Sequence, residues 1–205
     1  MLPRLARLLL ATYVVWFCSV ALAADTPQPV APPPADASSL PLPKGATVAI
    51  VVFEDLQCPD CAQAHPQLLA AAEANKVPLV IHDFPIPRHV WAFPAAIVAR
   101  YFTLQSPALG VEFRSYIFEH QKDITPDNLR EYAEKFAQQH GVQLPAEIDP
   151  DGKLAAQVQA DFDLGKQIGL HYVPLMFVIG RGTGSAHYTE VMDPAEFGAV
   201  IARMR

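Results

Sequence analysis

The pattern of apolar and polar positions begins with a strand–helix–strand unit. Residues 47–53 form an unbroken apolar, β-branched run, which predicts a strand covered on both faces. Residues 58–75 are rich in alanine and favour a helix, and Pro59 fits its first turn because that position needs no intrahelical N–H donor. Residues 77–85 predict a second strand, which completes a βαβ unit.

The pattern then changes twice along the chain. Residues 90–169 show helical periodicity without a strand pattern, which predicts an inserted block of roughly three to five helices. Strand pattern returns at residues 174–179 and 186–192, and the chain closes with a helix that Asp193 should cap. The sequence therefore predicts an α/β domain in the order βαβ, helical insertion, ββα.

The N-terminal residues lie outside this domain pattern. Two arginines precede an apolar run at residues 8–17, and a small-x-small cleavage pattern follows, so residues 1–23 are predicted to be a cleaved signal peptide. A membrane anchor is the alternative, although the apolar stretch is at the short limit for spanning a bilayer. Residues 24–44 are rich in proline and predict an extended, semi-rigid tether before the domain at residues 45–205.

Cleavage would change both the charge and the cysteine content. The whole chain has 15 basic and 21 acidic residues, and loss of the two N-terminal arginines leaves 13 basic residues and a net charge of −8. An acidic domain does not attract nucleic acid or an anionic membrane surface. Cleavage would also remove Cys18, which leaves Cys58 and Cys61 as the cysteines of an exported protein in an oxidising compartment.

Cys58 and Cys61 form a Cys-Pro-Asp-Cys motif at the predicted strand-to-helix junction. A thiolate at the start of a helix faces unpaired backbone N–H groups and the positive end of the helix dipole, which lowers its pKa. Pro59 adds no competing donor. Cys61, one turn later, is placed to attack a mixed disulfide formed at Cys58. These features favour a working redox pair.

Two other interpretations of the cysteine pair remain open. A structural disulfide is disfavoured, because so small a loop gains little closure entropy. Half of a zinc site would use His65 in a C-x2-C-x3-H spacing, but a fourth ligand would have to come from a distant part of the chain. Ala62 after the second cysteine excludes the CxxCH attachment of c-type haem. We therefore expect no metal, nucleotide or flavin cofactor.

The chain resembles the thioredoxin superfamily and, within it, the exported DsbA-like thiol-disulfide oxidoreductases. The resemblance spans about residues 45–205 and implies a thioredoxin fold, which is a central mixed sheet with an inserted helical block. Four features support it: VVFEDLQCPDC at residues 51–61, Pro66 eight residues after Cys58, the DFPIPRHVWAFPAAIVARYF stretch at 83–102, and HYVPLMFVIG at 171–180.

The resemblance also implies roles for individual residues. Cys58 would be the exposed nucleophile and Cys61 the buried resolving cysteine, exchanging disulfides with cysteines of other exported proteins. The Val173–Pro174 peptide bond would be cis, and its backbone would accept a substrate strand beside the pair. The oxidase direction is favoured, which implies a membrane redox partner for recycling. No dimerisation domain is recognisable, so we expect a monomer, in the periplasm if the envelope is Gram-negative.

Other functions fit the same fold. A periplasmic disulfide reductase or isomerase would use the same cysteines in the opposite direction. A metal-binding or chaperone module would use the fold without turnover. The sequence alone does not choose between these directions, because the reduction potential depends on small charge differences near two sulfur atoms.

Nearby carboxylates depart from the family pattern. Many relatives bury a carboxylate six residues before the first cysteine for proton transfer, and here that position is Val52. Glu54 and Asp55, which the strand period puts on opposite faces, are the candidates to replace it. The alternative is that both are solvated at the strand end.

Histidine and aromatic residues are less specific signals. We expect His89 to cap or pack, His82 to be half-buried in a strand, and His171 to be a candidate for lining the substrate groove. Four aromatic residues at helical spacing are expected in the core, with a peptide-binding surface as the alternative. They are Trp91, Phe93, Tyr101 and Phe102.

Asp60 stands where strongly oxidising relatives have histidine. A carboxylate about 6–8 Å from the Cys58 sulfur should oppose its ionisation by roughly 1–2 kcal/mol, or about one pKa unit. We therefore predict a milder oxidant than the relatives with histidine at this position. We also predict that Asp60→His raises the reduction potential measured in graded glutathione buffers. An unchanged or lower potential in the variant would contradict this.

Overall fold

A mixed four-stranded sheet forms the centre of the computed structural model, which describes residues 33–181 and 187–205. The strand order is β2–β1–β3–β4, with β1 parallel to β2 and antiparallel to β3, and β3 antiparallel to β4. The strands are β1 (Val48–Glu54), β2 (Leu79–Asp83), β3 (Leu175–Gly180) and β4 (Tyr188–Glu190).

Six α-helices accompany the sheet in the described part of the chain. Four of them, α2 to α5, occupy the predicted insertion, so the order βαβ, helical insertion, ββα is confirmed. No helix among the described residues is long and apolar enough to cross a membrane. The helices are α1 (Pro59–Asn75), α2 (Ala92–Gln105), α3 (Pro107–His120), α4 (Leu129–Gln139), α5 (Lys153–Gln167) and α6 (Phe197–Met204).

Strand β1 is buried on both faces, as its unbroken apolar run predicts. Because alternate side chains point to opposite faces, β1 contributes to two separate apolar cores. One core contains residues of the inserted helices, and the other contains residues of α1 and α6. The first receives Ala49, Val51 and Phe53 from β1, and the second receives Val48, Ile50 and Val52.

Helix α1 begins at the cysteine motif. Cys58 is its N-cap in extended conformation, and Pro59 occupies the first helical position. Pro66 lies inside the helix, and Lys76 ends it in the left-handed conformation. The end of β1 and the start of α1 therefore hold the two cysteines between the sheet and the inserted helices.

The C-terminal unit differs from the sequence prediction in two details. The edge strand β4 is confirmed but is shorter than the predicted range, and residues 182–186 of the predicted turn and strand lie outside the described residues. Asp193 does not cap α6. Its carboxylate accepts a hydrogen bond from the Ala195 N–H at 2.9 Å and caps a short 3-10 turn, Pro194–Glu196, after which α6 begins at Phe197.

Residues 33–40, which we call the N-terminal strap, pack into the domain. Ala37 is fully buried and Leu40 is 2% exposed, and both belong to the core shared with the inserted helices. The Asp36 N–H donates to the Ile168 carbonyl oxygen at 2.8 Å. The expectation of an extended tether is wrong for this stretch, because its apolar side chains find a core that composition alone does not reveal. The predicted signal peptide lies outside the described residues.

Leu40→Ala tests whether the strap belongs to the core. We expect the substitution to lower the free energy of unfolding by about 2–4 kcal/mol, because it removes a buried side chain and leaves a cavity. Leu104→Ala is the matched control, since Leu104 is 66% exposed and its truncation should change stability by less than about 0.5 kcal/mol. Urea unfolding measures both, and equal losses would contradict the assignment.

Candidate active site

The two cysteines lie side by side under the loop that precedes β3. The Cys58 sulfur lies 3.7 Å from the Val173 carbonyl oxygen, and the Asp55 N–H donates to the Cys61 sulfur at 3.4 Å. Cys58 is 6% exposed and Cys61 is 1% exposed. Cys58 is therefore the more accessible of the two, but it is buried rather than openly exposed, because the Val173 loop covers it.

The two thiols have opposite pKa shifts. A hydrogen bond from Cys61 lowers the pKa of Cys58 to about 6, against the opposing effect of burial, and the backbone N–H groups of Cys61 and Asp60 add to the lowering. Burial raises the pKa of Cys61 well above its ordinary value, and its contact with Cys58 adds to the rise. In the reduced protein near neutral pH, the negative charge therefore lies on Cys58 and the proton on Cys61.

Asp55 opposes the Cys58 thiolate, a role that the sequence analysis gave to Asp60. Asp55 is 1% exposed, and its charge raises the pKa of Cys58, whereas Asp60 is exposed to solvent and lowers that pKa through its backbone N–H. Water screens the charge of an exposed carboxylate, so its effect on the Cys58 thiolate is weak, while a buried carboxylate is screened much less. Burial therefore makes Asp55 the carboxylate that opposes the Cys58 thiolate more strongly, and the Asp60→His variant measures what Asp60 adds.

The Asp55 carboxylate joins the active-site segment to the loop after β2. One oxygen accepts a hydrogen bond from the Gln57 N–H at 2.6 Å, and the other accepts from the Ile86 N–H at 2.6 Å and contacts His89 Nδ1 at 2.8 Å. Burial raises the pKa of Asp55 in spite of these donors. His89 therefore packs against a buried carboxylate, in line with the packing role that we expected for it.

Glu54 lies on the other side of β1, as the strand period predicted. It is 2% exposed, so the interpretation of Glu54 and Asp55 as solvated residues is wrong. Glu54 contacts His65 Nδ1 at 3.3 Å and accepts from the Arg114 guanidinium at 3.2 Å. Burial alone would raise the pKa of Glu54, but the hydrogen bond and charge of His65 and the charge of Arg114 lower it. The ionised carboxylate also raises the pKa of Cys61.

A chain of ion pairs continues from Glu54 into the inserted helices. Arg114 on α3 donates to the Asp83 carboxylate on β2 at 2.6 Å, and Asp83 also accepts from Arg100 on α2 at 2.6 Å. Arg100 then pairs with Asp161 on α5. Sequence reasoning missed Arg114 and Asp161, because each pairs with residues that are 31 to 79 positions away and neither belongs to a recognisable motif.

Two of the three histidines considered in the sequence, His82 and His89, lie in the predicted surroundings, and His171 does not. His82 is half-buried in β2, contacts Asp161 at 2.8 Å and stacks on Phe53. His171 is exposed and lies against the N-terminal strap, in a depression that also contains Pro33, Pro34 and Tyr172. It does not line the groove beside Pro174.

Other predicted groups are placed away from exchange chemistry. Both ring nitrogens of His65 are engaged, with Glu54 and with the Ser115 hydroxyl at 3.0 Å, so this histidine does not turn toward the cysteines as a zinc ligand would. No group of three or more metal-ligating side chains occurs among residues 33–181 and 187–205. Trp91 and Phe102 are buried in the core, and Phe93 and Tyr101 are half-buried.

A groove of about 280 Å³ adjoins the cysteine pair. The Val173–Pro174 bond, which the sequence analysis expected to be cis, is cis and forms one end of the groove. The Val173 N–H has no hydrogen-bond partner among the described residues. The walls come from the first turns of α1 and from the segment after β4, and Tyr172 and Met192 expose 42% and 68% of their surfaces.

The βαβ–helical insertion–ββα order, the cysteine pair at the start of α1 and the cis-proline beside it define the thioredoxin fold. A family model described as thioredoxin matches residues 43–201. The chain belongs to this thioredoxin family.

Solved structures share the fold at low sequence identity. The α-DsbA1 structure from Wolbachia pipientis is 16% identical, has a TM-score of 0.65, and is matched over 81% of this chain and 93% of that chain. A periplasmic thioredoxin-like protein from Salmonella enterica serovar Typhimurium is 18% identical, with a TM-score of 0.61, over 80% of this chain and 87% of that one.

One curated relative is much longer than this chain. The Na(+)/H(+) antiporter NhaA 3 of Salinispora tropica is 26% identical over 179 residues, which is 80% of this chain. The chain spans only a quarter of that protein's length (25%).

Two substitutions at Cys61 test the origin of the Cys58 ionisation. The rate of alkylation of the reduced protein by iodoacetamide should rise with pH through a midpoint at about 6. Cys61→Ala should raise that midpoint by about one pKa unit or more, because the thiolate loses its main hydrogen-bond donor. Cys61→Ser should keep the midpoint low, because its hydroxyl still donates. The same midpoint in the alanine variant and the wild type would refute the assigned cause.

Proposed function

We propose that the protein is an exported thiol-disulfide oxidoreductase of the DsbA-like type that works as an oxidase. The observation that supports this most directly is the difference in pKa and exposure between Cys58 and Cys61. Cys58 has a pKa lowered to about 6 and the larger exposure, while Cys61 is buried with a raised pKa. One sulfur is thereby suited to exchange with a substrate and the other to resolve.

The exchange proceeds in two displacements. A substrate thiolate attacks the Cys58 sulfur of the Cys58–Cys61 disulfide, forms a mixed disulfide, and displaces Cys61, which takes a proton because of its high pKa. A second substrate thiolate then attacks the substrate sulfur of the mixed disulfide and releases the Cys58 thiolate. The substrate dithiol loses two electrons and two protons, and the enzyme disulfide gains the two electrons.

The same pKa values support the oxidase direction. A disulfide whose reduced form contains a stabilised thiolate is a stronger oxidant, because the stabilised thiolate makes reduction of the disulfide more favourable. The lowered pKa of Cys58 therefore favours donation of the disulfide to substrates. A turnover cycle in this direction requires a membrane redox partner that re-oxidises the pair.

The Val173–Pro174 segment would hold the substrate during exchange. The Val173 carbonyl oxygen lies next to the Cys58 sulfur, and the Val173 N–H has no hydrogen-bond partner among the described residues. A substrate strand paired with Val173 would bring its cysteine to Cys58. Export through the predicted signal peptide, a periplasmic location, and action as a monomer on cysteine-containing exported proteins are parts of this proposal.

The reduction potential of the Cys58–Cys61 pair tests the function and its direction. The mature protein is equilibrated in graded glutathione buffers, and free thiols are trapped for mass analysis. We expect a two-electron transition at a potential nearer to about −120 mV than to about −270 mV, and none in a Cys58→Ser control. A value near about −270 mV would overturn the oxidase direction in favour of a reductase. Absence of a transition would overturn the oxidoreductase proposal.

A further inference from the structure

The groove beside Pro174 has an apolar interior and an acidic rim. Met176 and Val191 contribute apolar surface to it, and Met192 projects from its edge with 68% of its surface exposed. Asp60 lines the groove from the start of α1 and is exposed to solvent. Tyr172, another lining residue, donates its hydroxyl to the Glu190 carboxylate, which lies in the adjoining depression next to the strap. One carboxylate therefore lines the groove, and a second lies beside it at Tyr172.

Lysine and arginine are missing from the groove walls. Helix α1, residues 171–180 and residues 187–197 contain neither residue type. Asp193 adds a third carboxylate between two lining residues, and its exposed side chain retains one oxygen beyond the one that caps Ala195. Two of the three histidines in these segments are engaged elsewhere, because His65 is buried against Glu54 and His187 contacts the Leu40 carbonyl oxygen. His171 is exposed in the depression that Glu190 also lines.

The nearest cations along the chain lie at the far ends of these segments. Lys76 follows α1 at the end opposite the cysteine motif, and Arg181 follows β3 at the end opposite Pro174. Arg205 contacts the Asn75 carbonyl oxygen at that same far end of α1. Arg88 belongs to the loop after β2, and β2 is at the opposite edge of the sheet from β4. The segments that form the groove therefore carry carboxylates and no lysine or arginine.

A groove with this chemistry discriminates among peptides by charge. Like charges brought together across a partly desolvated groove cost free energy, and opposite charges steer association. An apolar side chain is accommodated by the methionine and valine surfaces, while a neighbouring cationic side chain meets the carboxylates at the rim. A peptide with acidic residues at the same position meets repulsion without a compensating cation.

We propose that the groove accepts segments of exported proteins in which the reacting cysteine is accompanied by an apolar side chain and a lysine or arginine, with Asp60 and Glu190 as the residues that determine this specificity. The inference rests on the proposed thiol-disulfide exchange at Cys58. It names the substrate class of that site, and it requires no additional oxidant or cofactor.

The test uses the oxidised mature protein and three synthetic peptides. Each contains one cysteine followed by leucine and then lysine, glutamine or glutamate, and is otherwise identical. The second-order rate of mixed-disulfide formation is measured at low and high salt, and each rate is divided by the rate with dithiothreitol. Because dithiothreitol is uncharged and small, the division removes any change in the reactivity of the cysteine pair itself.

We expect the lysine peptide to react about tenfold faster than the glutamate peptide at low salt, with glutamine between them and the preference reduced at high salt. Glu190→Gln, which keeps an oxygen acceptor for Tyr172, should reduce the preference about threefold, and Asp60→Asn should act similarly. Glu73→Gln is the matched control, since Glu73 lies near the far end of α1 and its removal should leave the preference unchanged.

The test distinguishes failure of the peptide specificity from failure of the proposed oxidoreductase function. Equal rates for the lysine and glutamate peptides, with normal reaction of dithiothreitol, would overturn the specificity and leave the proposed oxidoreductase in place. A preference that persists undiminished in the Glu190→Gln and Asp60→Asn variants would also overturn it, because other residues would then be responsible. Failure of the oxidised pair to react with dithiothreitol would instead overturn the proposed function.

Discussion

A buried charge in this protein must be paired, and the domain is organised around that requirement. An isolated carboxylate in the core would cost far more free energy than a small domain has to spare, so Glu54 at the end of β1 is matched by Arg114 from α3. Arg114 is itself buried and needs Asp83, which in turn binds Arg100. Each buried side chain that pairs with one charge needs a further partner of opposite charge, and the series of ion pairs ends at the half-buried Asp161.

This series of ion pairs joins the sheet to the inserted helices directly behind the cysteine pair. Removal of one member would leave a buried, unpaired charge, which typically costs about 3–5 kcal/mol. The same burial governs the chemistry in front of it. Cys61 and Cys58 divide a proton and a negative charge between them, and Glu54 and Asp55 disfavour additional negative charge at the two sulfurs. Structural electrostatics and redox chemistry therefore share the same carboxylates.

Local sequence patterns were sufficient for the elements and for the cysteine motif. The unbroken run of β1, Pro59 at the first turn of α1 and the helical periodicity of the insertion all depend on neighbouring residues, and the structure agrees with them. The cis bond at Pro174 came from the family resemblance instead. Contacts between distant parts of the chain could not be predicted from the sequence. No local pattern shows that Asp55 is buried while Asp60 is exposed, or that Arg114 pairs with a carboxylate 60 residues away. The high proline content of residues 24–44 likewise predicted an extended tether and gave no sign that Leu40 packs into the core.

The position of the N-terminal strap has a practical consequence for the design of fusion proteins. Pro33 and Pro34 lie against Tyr172, which also lines the groove beside the cysteine pair. Any sequence joined upstream of Pro33 therefore leaves the domain next to the surface on which a substrate would bind. An affinity tag or reporter placed there would sit close enough to compete with peptides. At the other end of the domain, Arg205 follows α6 and contacts the far end of α1. The C-terminal end is the better point of attachment.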